Sequence, residues 1–277
     1  MLSKTEILAS DLFKKSFYPR ALKTSATLWF LITVLGQWMF ATYVAAYYGG
    51  AAMDRDFMKW NRVLPHGYVE GETMGNLAVA IHLLFAVVVM VGGPLQFSTK
   101  IRKWAPRFHR FSGRVYIGSA FLISLSGIYM VISKGTISGI VGDISVSLNG
   151  VLILLFAYLA IKRALQKNFV SHSEWVLRLF LAMGGVWFFR IGLMFWLLVN
   201  NGPVGFDPVT FRGPFLVFLG FGQYLIPLAI AEMYIRSKKT KKPSMQIATA
   251  LIILLCTLIT IVGTFAATMG MWLPRLS

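Results

Sequence analysis

Two histidines, His109 and His172, have the setting best suited to chemistry in this sequence. Each follows a helix-start signal at the edge of an apolar run. Pro106 suits the first position of a helix, which puts His109 in an opening turn. Ser171-His172-Ser173-Glu174 reads as a capping box, with Ser171 at the cap and Glu174 three residues later. His172 then also lies in a first turn. A helix N-terminus carries partial positive charge, and arginines flank both rings. Each effect disfavours the imidazolium. A neutral imidazole is the form that binds haem iron or another transition metal. Two such rings at one membrane depth supply the axial ligands of a b-type haem. Arg110, Arg114 and Arg178 would then meet its propionates, because the guanidinium fork matches a carboxylate. The other reading leaves both histidines at headgroup level, capping helices or touching phosphate beside the arginines.

A second set lies deeper. His82 is eight residues past Met74, and Arg190 is nine residues before Val199. At a rise of 1.5 Å per residue, both sit roughly 12–14 Å below one membrane surface. A charged arginine there is costly, and such residues usually face the protein interior with a partner. No Asp or Glu occurs at matching depth in the apolar runs. An anionic ligand, water or backbone carbonyls would have to supply the counter-charge. The spacing predicts that His82 and Arg190 face one another across the interior and line a polar cavity open to the outside. Gln96, on the span that carries His82, joins this set as a ligand-binding candidate. Gln37, Asn149 and Gln223 read as hydrogen-bond formers between helices. Glu232 reads as the partner of a basic loop residue.

The elements that position these groups are apolar runs. Of 277 residues, 57% are hydrophobic and only 13% are charged, against about 25% charged in soluble domains. Mean hydropathy is +0.68. Seven runs approach or exceed the roughly 20 residues that cross a bilayer as a helix. They cover about 26–48, 74–97, 112–132, 144–161, 175–199, 214–235 and 245–271. Backbone groups in hydrocarbon must bond within their own segment, so the expected fold is an all-α polytopic bundle. The first run is too long for a signal peptide and shows no convincing cleavage site, so it reads as a retained span. Residues 1–25 form a basic preface that reads as an interfacial amphipathic helix. Residues 26–271 form one bundle.

Loop charge orients it. The segments 1–25, 98–111, 162–174 and 236–244 carry five, five, three and five Lys or Arg; 49–73, 133–143, 200–213 and 272–277 carry three, one, one and one. This alternation predicts a cytoplasmic N-terminus and an external C-terminus. The net charge of +17 resides in these short loops, which argues against nucleic-acid binding. The single cysteine, Cys256, lies in an apolar run and excludes an intramolecular disulfide. No Cys-x-x-Cys-His, Walker loop, Gly-x-Ser-x-Gly or His-Glu-x-x-His occurs, so nothing supports an ATPase, a hydrolase or a zinc protease. Trp60, Pro65, His66 and Tyr68 in the longest connection suggest an ordered interfacial segment. Thr257, Thr260, Thr264 and Thr268, beside Gly263 and Ala267, read as a helix-packing stripe.

Four stretches carry a resemblance: Ile81-His82; Gly93-Pro94-Leu95-Gln96-Phe97; Phe108-His109-Arg110-Phe111-Ser112-Gly113-Arg114-Val115-Tyr116; and His172-Ser173-Glu174-Trp175-Val176-Leu177-Arg178. Over about residues 75–235 the chain resembles the bacterial predicted membrane protein family called domain of unknown function 2306. That family has a His-Arg-x-x-Gly-Arg-x-Tyr core and a later His-x-x-Trp-Met-x-Arg, followed by a deeper Arg. Val176 replaces the Met here, and Arg190 fits the deeper Arg. The resemblance implies a bacterial plasma-membrane location and no activity.

Two functions remain open on the sequence. The leading one is a haem- or metal-binding redox protein using His109 and His172, with a quinone or other lipid-soluble partner near His82 and Arg190. The other is a non-enzymatic carrier or binding protein for an anionic small molecule or lipid, held by His82 and Arg190.

Overall fold

The computed structural model describes residues 4–64, 66–240 and 242–276, with side chains from residue 17 onward; Pro65 lies outside the described residues. The described chain is helical, and its β structure is one isolated bridge between Asp207 and Arg212. The helices are α1 (Lys4–Val44), α2 (Gly50–Met53), α3 (Thr73–Leu95), α4 (Thr99–Trp104), α5 (Pro106–Lys134), α6 (Gly139–Leu165), α7 (Phe169–Met183), α8 (Gly185–Val199), α9 (Pro214–Thr240) and α10 (Pro243–Ala267). One π-helical turn, Ala45–Gly49, joins α1 to α2, and another, Thr268–Trp272, extends α10.

Six segments are long and apolar enough to cross a membrane: Phe17–Met53, Thr73–Leu95, Pro106–Lys134, Gly139–Leu165, Pro214–Thr240 and Pro243–Arg275. α7 and α8 together make a seventh, bent by 52°. The surface agrees. Leu31, Leu35 and Trp38 of α1 and Leu251, Leu255, Leu258 and Phe265 of α10 are exposed, whereas Thr33, Gln37, Thr249 and Thr257 are buried. Apolar groups outside and polar groups inside is the arrangement a bilayer demands. The chain is a multi-pass integral membrane protein.

Several boundaries differ from the apolar runs. The basic segment is not a separate interfacial helix, because α1 is continuous from Lys4 into the first span. α6 extends past its apolar run on both sides, with Lys162 and Arg163 in its last turn, where cations suit the helix dipole. α7 starts at Phe169, not at Ser171. Its cap is Asn168, whose side-chain oxygen accepts the Ser171 N–H at 3.1 Å, just after Lys167 turns the chain at φ 57°. An asparagine is as good a cap as a serine, and here it comes first. Pro106 opens α5 as its spacing predicts.

The bend at Gly184 decides how the bundle is built. The Gly184 carbonyl accepts from both Trp187 N–H at 3.0 Å and Phe188 N–H at 2.9 Å, so the regular ladder is interrupted. The Asn149 side chain of α6 donates to the Ala182 carbonyl at 3.1 Å. A Cβ on Gly184 would lie 3.0 Å from the Phe188 ring and 3.2 Å from Gln37 Nε2. Glycine therefore admits both the kink and its neighbours. Before the bend, α7 packs on α6 and α9; after it, α8 packs on α10 and α9. Elsewhere α3 packs on α5, and α1 on α10 and α3. The threonine–glycine stripe of α10 serves that packing: a Cβ on Gly263 would come within 2.5 Å of the Ile191 carbonyl oxygen of α8.

The lower end of the bundle carries α4 and the segments 162–174 and 236–244. The upper end carries 49–72 and 200–213.

Candidate functional site

At the upper end, the last turns of α1 present Phe40 and Tyr43, and its π-helical turn presents Tyr47 and Tyr48. The π-helical turn after α10 brings Trp272 against Phe40, with ring centroids 5.4 Å apart, and against Tyr43 at 6.2 Å. The connection 49–72 closes over them. Trp60 Nε1 donates to the Tyr48 carbonyl at 3.1 Å, and Tyr47 Oη donates to the Lys59 carbonyl at 3.0 Å. Asn61 braces both polar groups of the Tyr68 backbone at 2.8 Å. This connection is ordered because its polar atoms have fixed partners.

Arg190 of α8 reaches into this aromatic wall. Its guanidinium lies 5.1 Å from the Phe40 ring centroid, and its Nη1 donates to the Val186 carbonyl at 3.2 Å. Helical side chains lean toward the helix N-terminus, and this one does, so it turns away from the upper surface instead of snorkelling to it. Tyr43, Tyr48 and Arg275 are its electrostatic neighbours. Among the described residues the ion pairs are Lys134–Glu72, Arg178–Glu232 and Lys239–Glu174, so Arg190 has no carboxylate partner. Tyr43 Oη and Trp272 Nε1 are buried beside it without a hydrogen-bond partner. Val186, one turn deeper on the same face of α8, is 42% exposed.

His82 of α3 faces α5. Its Nδ1 lies 3.2 Å from the Ile123 carbonyl oxygen and 3.4 Å from Ser126 Oγ. A carbonyl only accepts, so Nδ1 carries the proton and Nε2 of the neutral ring keeps its lone pair. The ring rests against Gly127, where a Cβ would stand 3.4 Å from its Cε1. Arg190 acts on His82 through space. The two share one electrostatic neighbourhood, but each is bonded to a different wall: His82 to α5 and Arg190 to its own helix and Phe40. Gln96 does not join them. It lies fourteen residues further along α3, about 21 Å at helical rise, and donates from Nε2 to Ser112 Oγ at 3.0 Å.

At the lower end, the first turns of α5 and α7 bring His109 and His172 into one neighbourhood, with Arg102 and Arg110 around His109. His172 Nδ1 donates to the Ala160 carbonyl of α6 at 2.9 Å, so Nε2 is the ring nitrogen free of that bond. His109 Nδ1 is buried without a partner. Arg178 is taken: its Nε lies 2.6 Å from Glu232 Oε1, and its guanidinium is 4.4 Å from the Trp175 ring. Glu232 therefore pairs with a helix residue, not with a loop base. Arg114 is exposed. Among the described residues no group of three or more His, Cys, Asp or Glu side chains converges on a point that could hold a metal ion.

The model of the predicted membrane protein family DUF2306 matches residues 79–235, more than half of the chain. The chain belongs to that family. The DUF2306 match takes in His82, Gln96, His109, His172, Arg178, Arg190 and Glu232. It leaves out α1 and α10, so Phe40, Tyr43, Tyr48 and Trp272 are walls added from outside the matched region. No curated protein and no solved structure matches the chain. Sequence reasoning missed that wall and Arg275. The aromatic clusters Tyr43-Val44-Ala45-Ala46-Tyr47-Tyr48 and Met271-Trp272 are the only trace of it in the sequence, and either also fits an interfacial belt.

Proposed function

We propose that this protein binds an anionic small molecule or lipid at the upper site, as a non-enzymatic carrier or binding protein. The observation that carries this reading is the Arg190 guanidinium, which leans along α8 against Phe40 and has no carboxylate partner among the described residues. An arginine at this depth costs about 2.5–3.5 kcal/mol on translocon scales. A cation–π contact with Phe40 returns about 0.5–2 kcal/mol, so an anion in contact with the guanidinium is the natural complement. Lys59, Arg62 and Arg275 lie around Tyr47 at the upper end, together with Asp56. In the orientation that the loop charges predict, this upper end faces outward from a bacterial plasma membrane.

Purified protein in nanodiscs tests the reading, with inorganic phosphate and acetate as titrants. Wild type should bind at least one of them. Arg190→Leu should insert normally and bind at least tenfold more weakly, and Arg190→Lys should fall between, because the planar fork is lost. Equal binding by Arg190→Leu would remove the basis of the reading.

A second reading rests on the lower end. His172 offers Nε2, because its Nδ1 is held by Ala160, and a buried ring nitrogen of His109 has no partner. Two neutral imidazoles from neighbouring helix starts suit a b-type haem or a transition metal, and Arg102 and Arg110 are available for propionates. Arg178 is committed to Glu232 and drops out of that role. A quinone or similar partner belongs to this reading. The purified protein should then show a Soret band that disappears in both His109→Ala and His172→Ala; a colourless, metal-free protein refutes it.

A further inference from the structure

α5 carries one exposed stripe from its charged start into the bilayer. Its inner face holds Tyr116, Ser119, Ala120 and Ser124, all buried, and Ser112, whose Oγ accepts from Gln96 of α3. At 3.6 residues per turn, positions 107, 111, 114, 118, 122 and 125 lie opposite Tyr116. Arg107, Phe111, Arg114, Gly118, Leu122 and Leu125 occupy them, and all six are exposed. A Cβ on Gly118 would meet nothing within 4 Å, so the stripe has an open notch between Arg114 and Leu122. From Arg114 to Leu125 the helix rises about 16 Å. That is one leaflet's share of a hydrocarbon core roughly 30 Å thick.

The charge at the top of this stripe is unanswered within the protein. Lys100, Arg102, Lys103, Arg107, Arg110 and Arg114 fall in a stretch, 100–114, that holds no Asp or Glu. All six are exposed, and none belongs to an ion pair among the described residues. Trp104 stands beside them 87% exposed, which suits an indole at a membrane interface. The molecule that complements both halves is an amphiphile, anionic at one end and apolar along the rest. A zwitterionic headgroup would bring its own ammonium into the cluster; an anionic one does not. Basic clusters next to a span attract anionic lipid for this reason. We infer that the lower end of α5 holds an anionic phospholipid of its own leaflet. Arg107 and Arg114, with Lys103 of α4, take the phosphate, and one acyl chain lies along Gly118, Leu122 and Leu125. This surface is separate from Arg190 and does not depend on the anion-binding reading.

Protein in a neutral detergent is titrated with phosphatidylglycerol or with phosphatidylcholine, and bound lipid is counted by native mass spectrometry. Wild type should bind phosphatidylglycerol at least about tenfold more tightly. The combined variant Lys103→Gln, Arg107→Gln, Arg114→Gln should hold the two lipids equally. A matched neutralisation elsewhere at the lower end, Lys167→Gln, Arg236→Gln, Lys242→Gln, should keep the preference, and so should Arg190→Leu. Gly118→Leu fills the notch and should weaken both lipids while keeping their ratio. Equal affinity in wild type, a preference that survives the first variant, or wild-type binding by Gly118→Leu overturns the inference. A preference lost in the matched variant assigns it to diffuse charge, and one lost in Arg190→Leu assigns it to the upper site; either result overturns it too.

Discussion

Arg178 Nε and Glu232 Oε1 lie 2.6 Å apart and tie α7 to α9 in the lower half of the bundle. The Arg178 side chain is 13% exposed and the Glu232 side chain 40%, so water reaches one side of the pair. Removing one partner strands the other. A fully buried pair loses about 3–5 kcal/mol when broken, and an exposed one about 0–1. Glu232→Gln should therefore cost about 1–2 kcal/mol in detergent unfolding. Arg178→Met with Glu232→Gln should recover part of it. An unchanged unfolding midpoint in Glu232→Gln would show the contact to be ornamental.

Gly263 and Gly118 make a matched contrast. A Cβ on Gly263 would sit 2.5 Å from the Ile191 carbonyl oxygen, whereas one on Gly118 would meet nothing within 4 Å. Gly263→Ala forces α10 and α8 apart and should destabilise by about 1–3 kcal/mol. Gly118→Ala should be neutral or slightly stabilising, as alanine is the better helix former. Equal unfolding curves for the two variants would contradict the packing.

Asp207 gives the upper connection 200–213 a pH dependence. Its Oδ1 accepts the backbone N–H of Val209 at 2.7 Å and of Thr210 at 3.2 Å, and these bonds hold its carboxyl below the usual range. A depressed folded pKa means stability that is present above the unfolded value, about 3.9. That stability is lost as pH falls through the folded value. Amide exchange at Val209 and Thr210 should be slow and pH-insensitive in relative protection from neutral pH down to about 4, then lose protection. Protection lost near pH 6 would point to another group.

Orientation is open to a direct measurement. A reporter fused after Arg275 should behave as external, and one placed within 236–244 as cytoplasmic. The opposite behaviour at either point would invert the reading of which end faces outward.

The membrane architecture was legible in the sequence because lipid imposes a one-dimensional rule: about twenty apolar residues with basic loops between them. Pro106 was legible for a similar reason, since its ring fixes φ where a helix begins. What failed depends on neighbours distant in the chain. Ser171 carries a proper capping pattern, but Asn168 lies closer to the turn and takes the N–H first. Gly184-Gly185 signals close approach and chain breakage alike, and only Asn149, Gln37 and Phe188 around it decide for the break. Glu232 found Arg178 through the crossing of two helices, which no local spacing reveals. For Arg190 the depth arithmetic predicts a level but names no neighbours. The aromatic groups beside it come from α1 and from the turn after α10, remote in sequence and brought in by packing alone.

The 52° joint at Gly184 also sets how force travels. A straight helix acts as a lever, and a tilt at one end is delivered undiminished at the other. A jointed one does not. α7 is clamped to α6 and α9, α8 to α10 and α9, and a single glycine links them. A displacement of His172 is absorbed as rotation about that glycine before it reaches Arg190. Along this one span, any coupling between its two halves passes through a glycine joint rather than a rigid rod.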